Sequence, residues 1–390
     1  MGSFGGSNDP DAPVCFNVIQ MGSTPQHIII LGAGLMGRLL ALALASKGHR
    51  VEVHDAGSAD AQGAAAQVAA AMLAPLAESA VTEASVVRMG QHSLLRWPEL
   101  LATLTRPVFL QRNGTLVVWH RQDRAEAERF RKHLDRTSAQ IPTLPKAQPL
   151  HAHSLALTEP ALAGRFEQGL LLPGEGQLDN RELLQALLDA LIQAQVQLHW
   201  RSPRAPQDFE PGPGQSCDWL IDCRGLGAHP QWQRLRGVRG EVIRVHAPEV
   251  DLQRPLRLMH PRYPIYIAPK PNHLFVIGAT EIESEDRSAA SVRSTLELLS
   301  AAYSVHSGFA EARVLELSTQ LRPTLPDNLP AVRWLGPRTL QVNGLYRHGF
   351  LIAPAMLDAV LQLMQEGHSH WAHAFGLRID HAPGVLTPEN

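Results

Sequence analysis

The 390-residue chain sets 35 Lys and Arg against 37 Asp and Glu, for a net charge of −2, and only 18% of it is charged. No basic face is therefore offered to nucleic acid or to an anionic membrane. At 44% hydrophobic residues it can bury a sizeable core, and its length suggests two domains or one large discontinuous one.

Three cysteines, Cys15, Cys217 and Cys223, show neither CxxC spacing nor a disulfide framework. That fits a reducing, cytoplasmic compartment and no zinc site. No HExxH pair occurs, and His151 with His153, like His368 with His370, read as solvated loop histidines, so no metal is expected. Residues 1–25 are rich in Gly, Ser and Pro and predict a disordered arm without a signal peptide. Nothing approaches the roughly 18 uninterrupted apolar residues of a membrane span.

The first folded stretch organises the rest: HIIILGAGLMGRLLALALASKGHRVEVHD, His27 to Asp55. It predicts a buried strand, a glycine turn, an apolar helix closed by Gly48, and a second strand ending in an acid. Gly32 permits the sharp turn, Gly34 leaves the backbone open to a pyrophosphate, and Gly37 lets helix and strand pack closely. Leu35 and Met36 begin the helix, whose N-terminus favours negative charge. Asp55 lies at about the 20-residue spacing at which a carboxylate accepts from a ribose hydroxyl. Together these predict a dinucleotide site.

Ala56 to Glu78 is a loop of small residues. Its block Ala64 to Ala71, including Ala65, Ala66 and Ala70, reads either as an alanine-rich helix or as backbone that a large planar cofactor must approach closely. A helix follows over 83–104. Short strands at Val108–Leu110 and Thr115–Trp119 are joined across Asn113-Gly114, a hairpin signal. Arg124–Arg136 predicts a charged, solvated helix and Arg181–Ala194 a leucine-rich one, before an alternating strand, Val196–Trp200. The strand Asp218–Asp222 breaks at a second glycine turn containing Gly225. Beyond Gly240 strands dominate (Glu241–Val245, Pro264–Ala268, Leu274–Ala279, Arg313–Ser318), with one helix, Ala290–Tyr303, among them. That pattern predicts an antiparallel sheet domain inserted into a dinucleotide-binding fold. The chain returns through a strand, Thr339–Asn343, and a helix, Ala353–Glu366.

In order and spacing, GAGLMG with Asp55, AAAMLAP (Ala69–Pro75), RGEV (Arg239–Val242), IYIAPK (Ile265–Lys270), VIGAT (Val276–Thr280), QLRPTLPDNLP (Gln320–Pro330), NGLYRHGFLIAP (Asn343–Pro354) and HAFGLRID (His373–Asp380) resemble the flavin-dependent D-amino-acid oxidase family. Within it the glycine oxidases of thiamine biosynthesis are the nearest. The resemblance implies an α/β (α+β overall) fold, a Rossmann-like FAD-binding domain carrying an inserted, mainly antiparallel substrate domain. The boundaries expected are 26–82, 150–238 and 320–385 for FAD and 83–149 with 239–319 for substrate.

It also implies non-covalent FAD, a small amino-acid substrate and O2 as partners, and is compatible with a homo-oligomer. FAD contacts are expected from Gly32, Gly34, Leu35, Met36, Gly37, Asp55, Ala65, Ala66, Ala70, Ala71, Met72, Gly225, Arg347, His348, Gly349, Phe350 and Leu351. Arg322 falls where the family places the arginine that grips the substrate carboxylate, a role that suits a planar two-pronged donor. Tyr266 matches a hydroxyl that assists it. Arg347 is expected beside the flavin, ready to meet developing negative charge.

The activity implied is hydride loss from the substrate α-carbon to the flavin, giving an imine, with O2 reduced to peroxide. No side-chain base is demanded. Sarcosine or a small D-amino acid, handled by an oxidase or a dehydrogenase, is the nearest alternative to glycine. A flavin-bound sensor without turnover is the alternative of another class.

Overall fold

A computed structural model describes residues 24–260 and 264–382; most of the N-terminal arm lies outside them. Two large sheets form the chain. The first has seven strands in the order Arg378–His381, Ala331–Gly336, Thr339–Asn343, Trp219–Asp222, His27–Leu31, Arg50–His54 and Gln197–His199. All neighbours are parallel except Ala331–Gly336 beside Thr339–Asn343.

His27–Leu31 sits near its centre because its apolar run can be buried on both faces. Ile28 and Ile30 pack with Leu39, Leu40 and Leu187 in the main core, whereas Ile29 and Leu31 meet Leu220 and Cys217 behind. The helices Leu35–Ser46, Asn180–Gln193 and Gly349–Glu366 supply that core with their leucine-rich faces.

The second sheet has eight strands, in the order Arg313–Thr324, Arg236–His246, Leu274–Gly278, Ile265–Lys270, Leu256–Met259, Thr115–Trp119, Gln168–Leu172 and Gln148–His151. It is antiparallel apart from Leu256–Met259 beside Thr115–Trp119. The helix Val292–Val305 packs on it through Leu298, Ala302 and Val305. A small three-stranded sheet, Met72–Leu73, Gly176–Leu178 and Leu110–Gln111, stands beside these two.

Three expectations change here. Asn113-Gly114 makes no hairpin: Leu110–Gln111 pairs with Gly176–Leu178, while Thr115–Trp119 joins the large sheet. Gly114, at φ +91°, turns the chain from one sheet to the other. Residues 150–151 and 168–172, expected with the dinucleotide domain, are hydrogen-bonded into the eight-stranded sheet. The strand expected over 313–318 runs on to Thr324, so Arg322 and Pro323 lie within it. It is the edge strand of its sheet, where a residue lacking an N–H is tolerated.

Candidate active site

The glycine turn is built as the spacing predicts. Gly32 adopts φ +93°, and a Cβ there would stand 2.7 Å from the Cys223 carbonyl oxygen. A Cβ on Gly37 would lie 1.8 Å from the Gly32 oxygen, so the helix can approach the turn only with glycine at that place. The Cβ direction of Gly34 meets nothing closer than 3.9 Å. Asp55 accepts from Ala33 N at 2.5 Å and from Gly57 N at 2.6 Å, tying the end of its strand to the turn. Lone pairs remain on both oxygens for a hydroxyl donor.

Helix Leu35–Ser46 begins at Gly34 without a side-chain cap and without an acid in its first turn. The same is true of helix Gly349–Glu366, which starts at Gly349 rather than at Ala353. Two helix N-termini with free N–H groups thus face one cavity, each disposed toward negative charge.

That cavity has a volume of about 1210 Å³, above the roughly 300–1,000 Å³ usual for a drug-sized ligand. It runs from Gly32–Met36 and Asp55, past the alanine block, to Tyr266, Arg322 and Arg347. Each residue expected to touch FAD lines it except Gly37, which packs behind the turn.

The alanine block is neither of its two sequence readings alone: Ala65–Val68 forms one helical turn, after which Ala69 is extended and Ala71 left-handed at φ +54°. It is clamped from behind. Lys270 Nζ donates to the carbonyls of Ala70 (2.9 Å) and Leu178 (2.7 Å) and to Gln177 Oε1 (3.0 Å). Burial pulls this ammonium down to a pKa of about 7. Asn180 donates to the carbonyls of Ala66 and Gln67 and accepts from Arg244. The small side chains are left to the cavity, where a flat ring can lie against them.

At the other end two glycines make room for two polar side chains. A Cβ on Gly240 would be 2.3 Å from Arg322 Nη2, and one on Gly278 would be 2.7 Å from the Tyr266 hydroxyl. Arg322 donates to the carbonyls of Thr280 (3.0 Å) and Arg239 (3.4 Å). Among the described residues, no carboxylate forms an ion pair with it.

Arg347 differs. Its guanidinium donates to Glu78 at 2.8 Å and to Glu281 at 3.0 Å, so its charge is already met. Glu78 also accepts from Arg257 at 2.6 Å and lies 3.5 Å from His348 Nδ1. Burial alone would raise the Glu78 carboxyl, but Arg347 and Arg257 outweigh it and hold it well below the usual range. Burial pushes the His348 imidazole down to about 4, leaving it neutral at physiological pH. It also raises the Tyr266 phenol.

Glu78, Arg257, Glu281 and Lys270 escaped the sequence reading. Each stands in an apolar or alternating stretch, and only long-range packing brings Glu78, Arg257 and Glu281 to the cavity and Lys270 behind its wall. The buried charge of Glu78, at the end of an apolar run, was the one available signal.

A glycine-turn α/β domain facing an antiparallel sheet across one elongated cavity defines a dinucleotide-dependent oxidoreductase architecture. The chain belongs to the FAD dependent oxidoreductase family, whose model matches residues 27–363. It is 40% identical over 335 residues, 86% of this chain and 95% of the other, to a Rhizobium etli protein that carries the name thiamine biosynthesis oxidoreductase ThiO. Among solved structures it resembles glycine oxidase from Geobacillus kaustophilus (TM-score 0.77, 23% identity, 90% of this chain and 98% of that one). Glycine oxidase from Bacillus cereus is similar too (TM-score 0.74, 20% identity, 90% and 97%).

Proposed function

We propose that this enzyme oxidises glycine to its imine with FAD, reducing O2 to hydrogen peroxide, and so supplies the thiazole branch of thiamine synthesis. The observation that carries the reading is Arg322, a guanidinium in the cavity wall that forms no ion pair with the described carboxylates. A substrate carboxylate would complete it with two parallel charge-assisted bonds, fixing the α-carbon as well as binding it. The Tyr266 hydroxyl, also in the cavity wall, would add a third donor. The ThiO-named relative and the glycine oxidases of the same fold support this choice of substrate.

When bound, FAD supplies the hydride acceptor and the reaction with O2. Asp55 would receive its ribose hydroxyl, the N-terminus of Leu35–Ser46 its pyrophosphate, and the block Ala65–Met72 its ring system. Lys270, donating to the Ala70 carbonyl, would steady this stretch for it. The N-terminus of Gly349–Glu366 would face the ring's electron-rich end, favouring negative charge there. The Arg347–Glu78–Arg257 network fixes the wall beside the substrate rather than binding it, because its charges are mutually satisfied. With His348 neutral and Glu78 ionised, no base is required if the amine enters unprotonated. A cytoplasmic location and self-association accord with this reading.

The test is peroxide release by purified, FAD-loaded protein offered glycine, sarcosine and D-alanine. Glycine should give the highest kcat/KM. A higher value for sarcosine or D-alanine would reassign the substrate, and no turnover of any of the three would overturn an oxidase reading altogether.

A further inference from the structure

On the seven-stranded sheet, away from the main core, three neighbouring strands bring histidines onto one carboxylate. Val51 and Val53 point into the main core, so Glu52 and His54 between and beyond them project to the opposite face. His54 pairs in register with His199 on the edge strand Gln197–His199, and His27 stands on the strand at the other side. The Nε2 atoms of His54 and His199 lie 3.0 and 3.1 Å from Glu52 Oε1, and that of His27 lies 3.3 Å from Oε2.

The rings of His54 and His199 are stacked, 4.5 Å apart and 12° from parallel, so both nitrogens are aimed the same way. His54 Nδ1 meets Ser202 Oγ at 3.1 Å, which leaves Nε2 as the nitrogen turned to the cluster. The three facing atoms lie within 4.8 Å of one another.

We propose that Glu52, His54 and His199 form a binding site for a divalent transition-metal ion of the zinc type, with His27 steadying the outer carboxylate oxygen. Tetrahedral zinc with bonds of about 2.0–2.1 Å separates its ligand atoms by about 3.4 Å, a few tenths of an ångström beyond the two carboxylate–imidazole spacings here, while the His54 and His199 nitrogens would settle at that distance from within 4.8 Å of each other. Two imidazoles and one carboxylate with further positions open suit zinc and its neighbours in the series, and are poor hosts for magnesium or calcium. His199 is 42% exposed and gives the ion a way in from solvent. Bound there, the ion would lock the edge strand to Arg50–His54, whose next residue is Asp55. Its sequence signal was slight, since strand alternation places Glu52 and His54 two apart and the third ligand comes from 145 residues on.

The proposal is independent of the substrate. It is tested by calorimetric titration of tag-free, chelator-stripped, FAD-loaded protein with Zn2+. One ion per chain should bind. His199→Ala should weaken it by more than about 100-fold, and Ser202→Ala, which loosens the support of His54, by about 10-fold. Flavin absorbance and melting temperature without metal should stay at the wild-type values in both. A His368→Ala/His370→Ala double variant should bind as wild type does. Absence of stoichiometric binding by the wild type, unchanged affinity in His199→Ala, loss in the double variant instead, or Mg2+ binding as tightly as Zn2+ would each overturn the site.

Discussion

Arg322 and Arg347 are two guanidiniums in one cavity, and their surroundings give them different work. Arg347 is held between Glu78 and Glu281, whereas Arg322 has only backbone oxygens. Arg322→Ala should therefore cost about 2–5 kcal/mol in kcat/KM, the range for removing one partner of a desolvated charge pair. Arg322→Lys keeps the charge but loses the fork, so KM should rise with a smaller fall in kcat. Flavin content should not change in either, and unchanged kinetics in the alanine variant would pass the anchor to Arg347. Gly240 offers a subtler probe. A methyl there would stand 2.3 Å from the Arg322 tip, which is flexible enough to move aside. Gly240→Ala should thus leave folding and FAD intact while raising KM for a carboxylate substrate about as Arg322→Lys does. Steady-state kinetics with flavin quantitation separates these outcomes.

Among the elements, the short helix Pro75–Glu78 links the alanine block to the charged end of the cavity, and its placement depends on a buried acid. Glu175 is 1% exposed and accepts from Ala77 N at 2.7 Å, while its second oxygen has no partner within hydrogen-bond distance and angle among the described residues. Burial, only partly offset by Arg257, raises its carboxyl to about 7. The folded value exceeds the unfolded one of about 4.5. Stability from the neutral carboxyl is therefore full below pH 4.5 and is lost as pH climbs through 7, by up to about 3 kcal/mol. Glu175→Gln keeps an acceptor for Ala77 and never ionises. Its melting temperature should match wild type near pH 5 and exceed it by several degrees at pH 8. A constant difference across that range would show that Glu175 is ionised throughout. His348 works with the opposite sign: its folded value of about 4 lies below the unfolded 6.5, so stability falls as pH drops from 6.5 toward 4. Melting curves of His348→Gln should lose part of the wild-type acid sensitivity in that window.

For the whole molecule, what was legible in the sequence was local. Gly32, Gly37 and Asp55 announced their turn because backbone conformation and close approach restrict residue type within a few positions. The doubly buried strand His27–Leu31 likewise showed its place through composition. Arg322 and Tyr266 were legible only through family resemblance, since a strand arginine or tyrosine carries no intrinsic mark of a site. Illegible were features set by pairing between distant strands: the route of Leu110–Trp119 through two sheets, the clamp of Lys270 on Ala70 across 200 residues, and the Glu78 network. The cavity itself is such a feature, as its walls come from both large sheets and the alanine block between them. FAD bound there would contact elements of both large sheets at once. Binding to the folded state alone should stabilise the whole chain, by about 2.7 kcal/mol at a hundredfold excess over Kd. Deflavinated protein titrated with FAD should show a concentration-dependent rise in melting temperature. Amide protection should increase in Ile265–Lys270 as well as in His27–Leu31. Asp55→Ala removes the proposed ribose acceptor and two ties to the turn at once. Its titration should need more FAD for the same rise, with the flavin-free melting temperature only slightly lowered. If FAD protected His27–Leu31 alone, the two sheets would be shown to unfold independently, and the cavity would not be the joint that couples them.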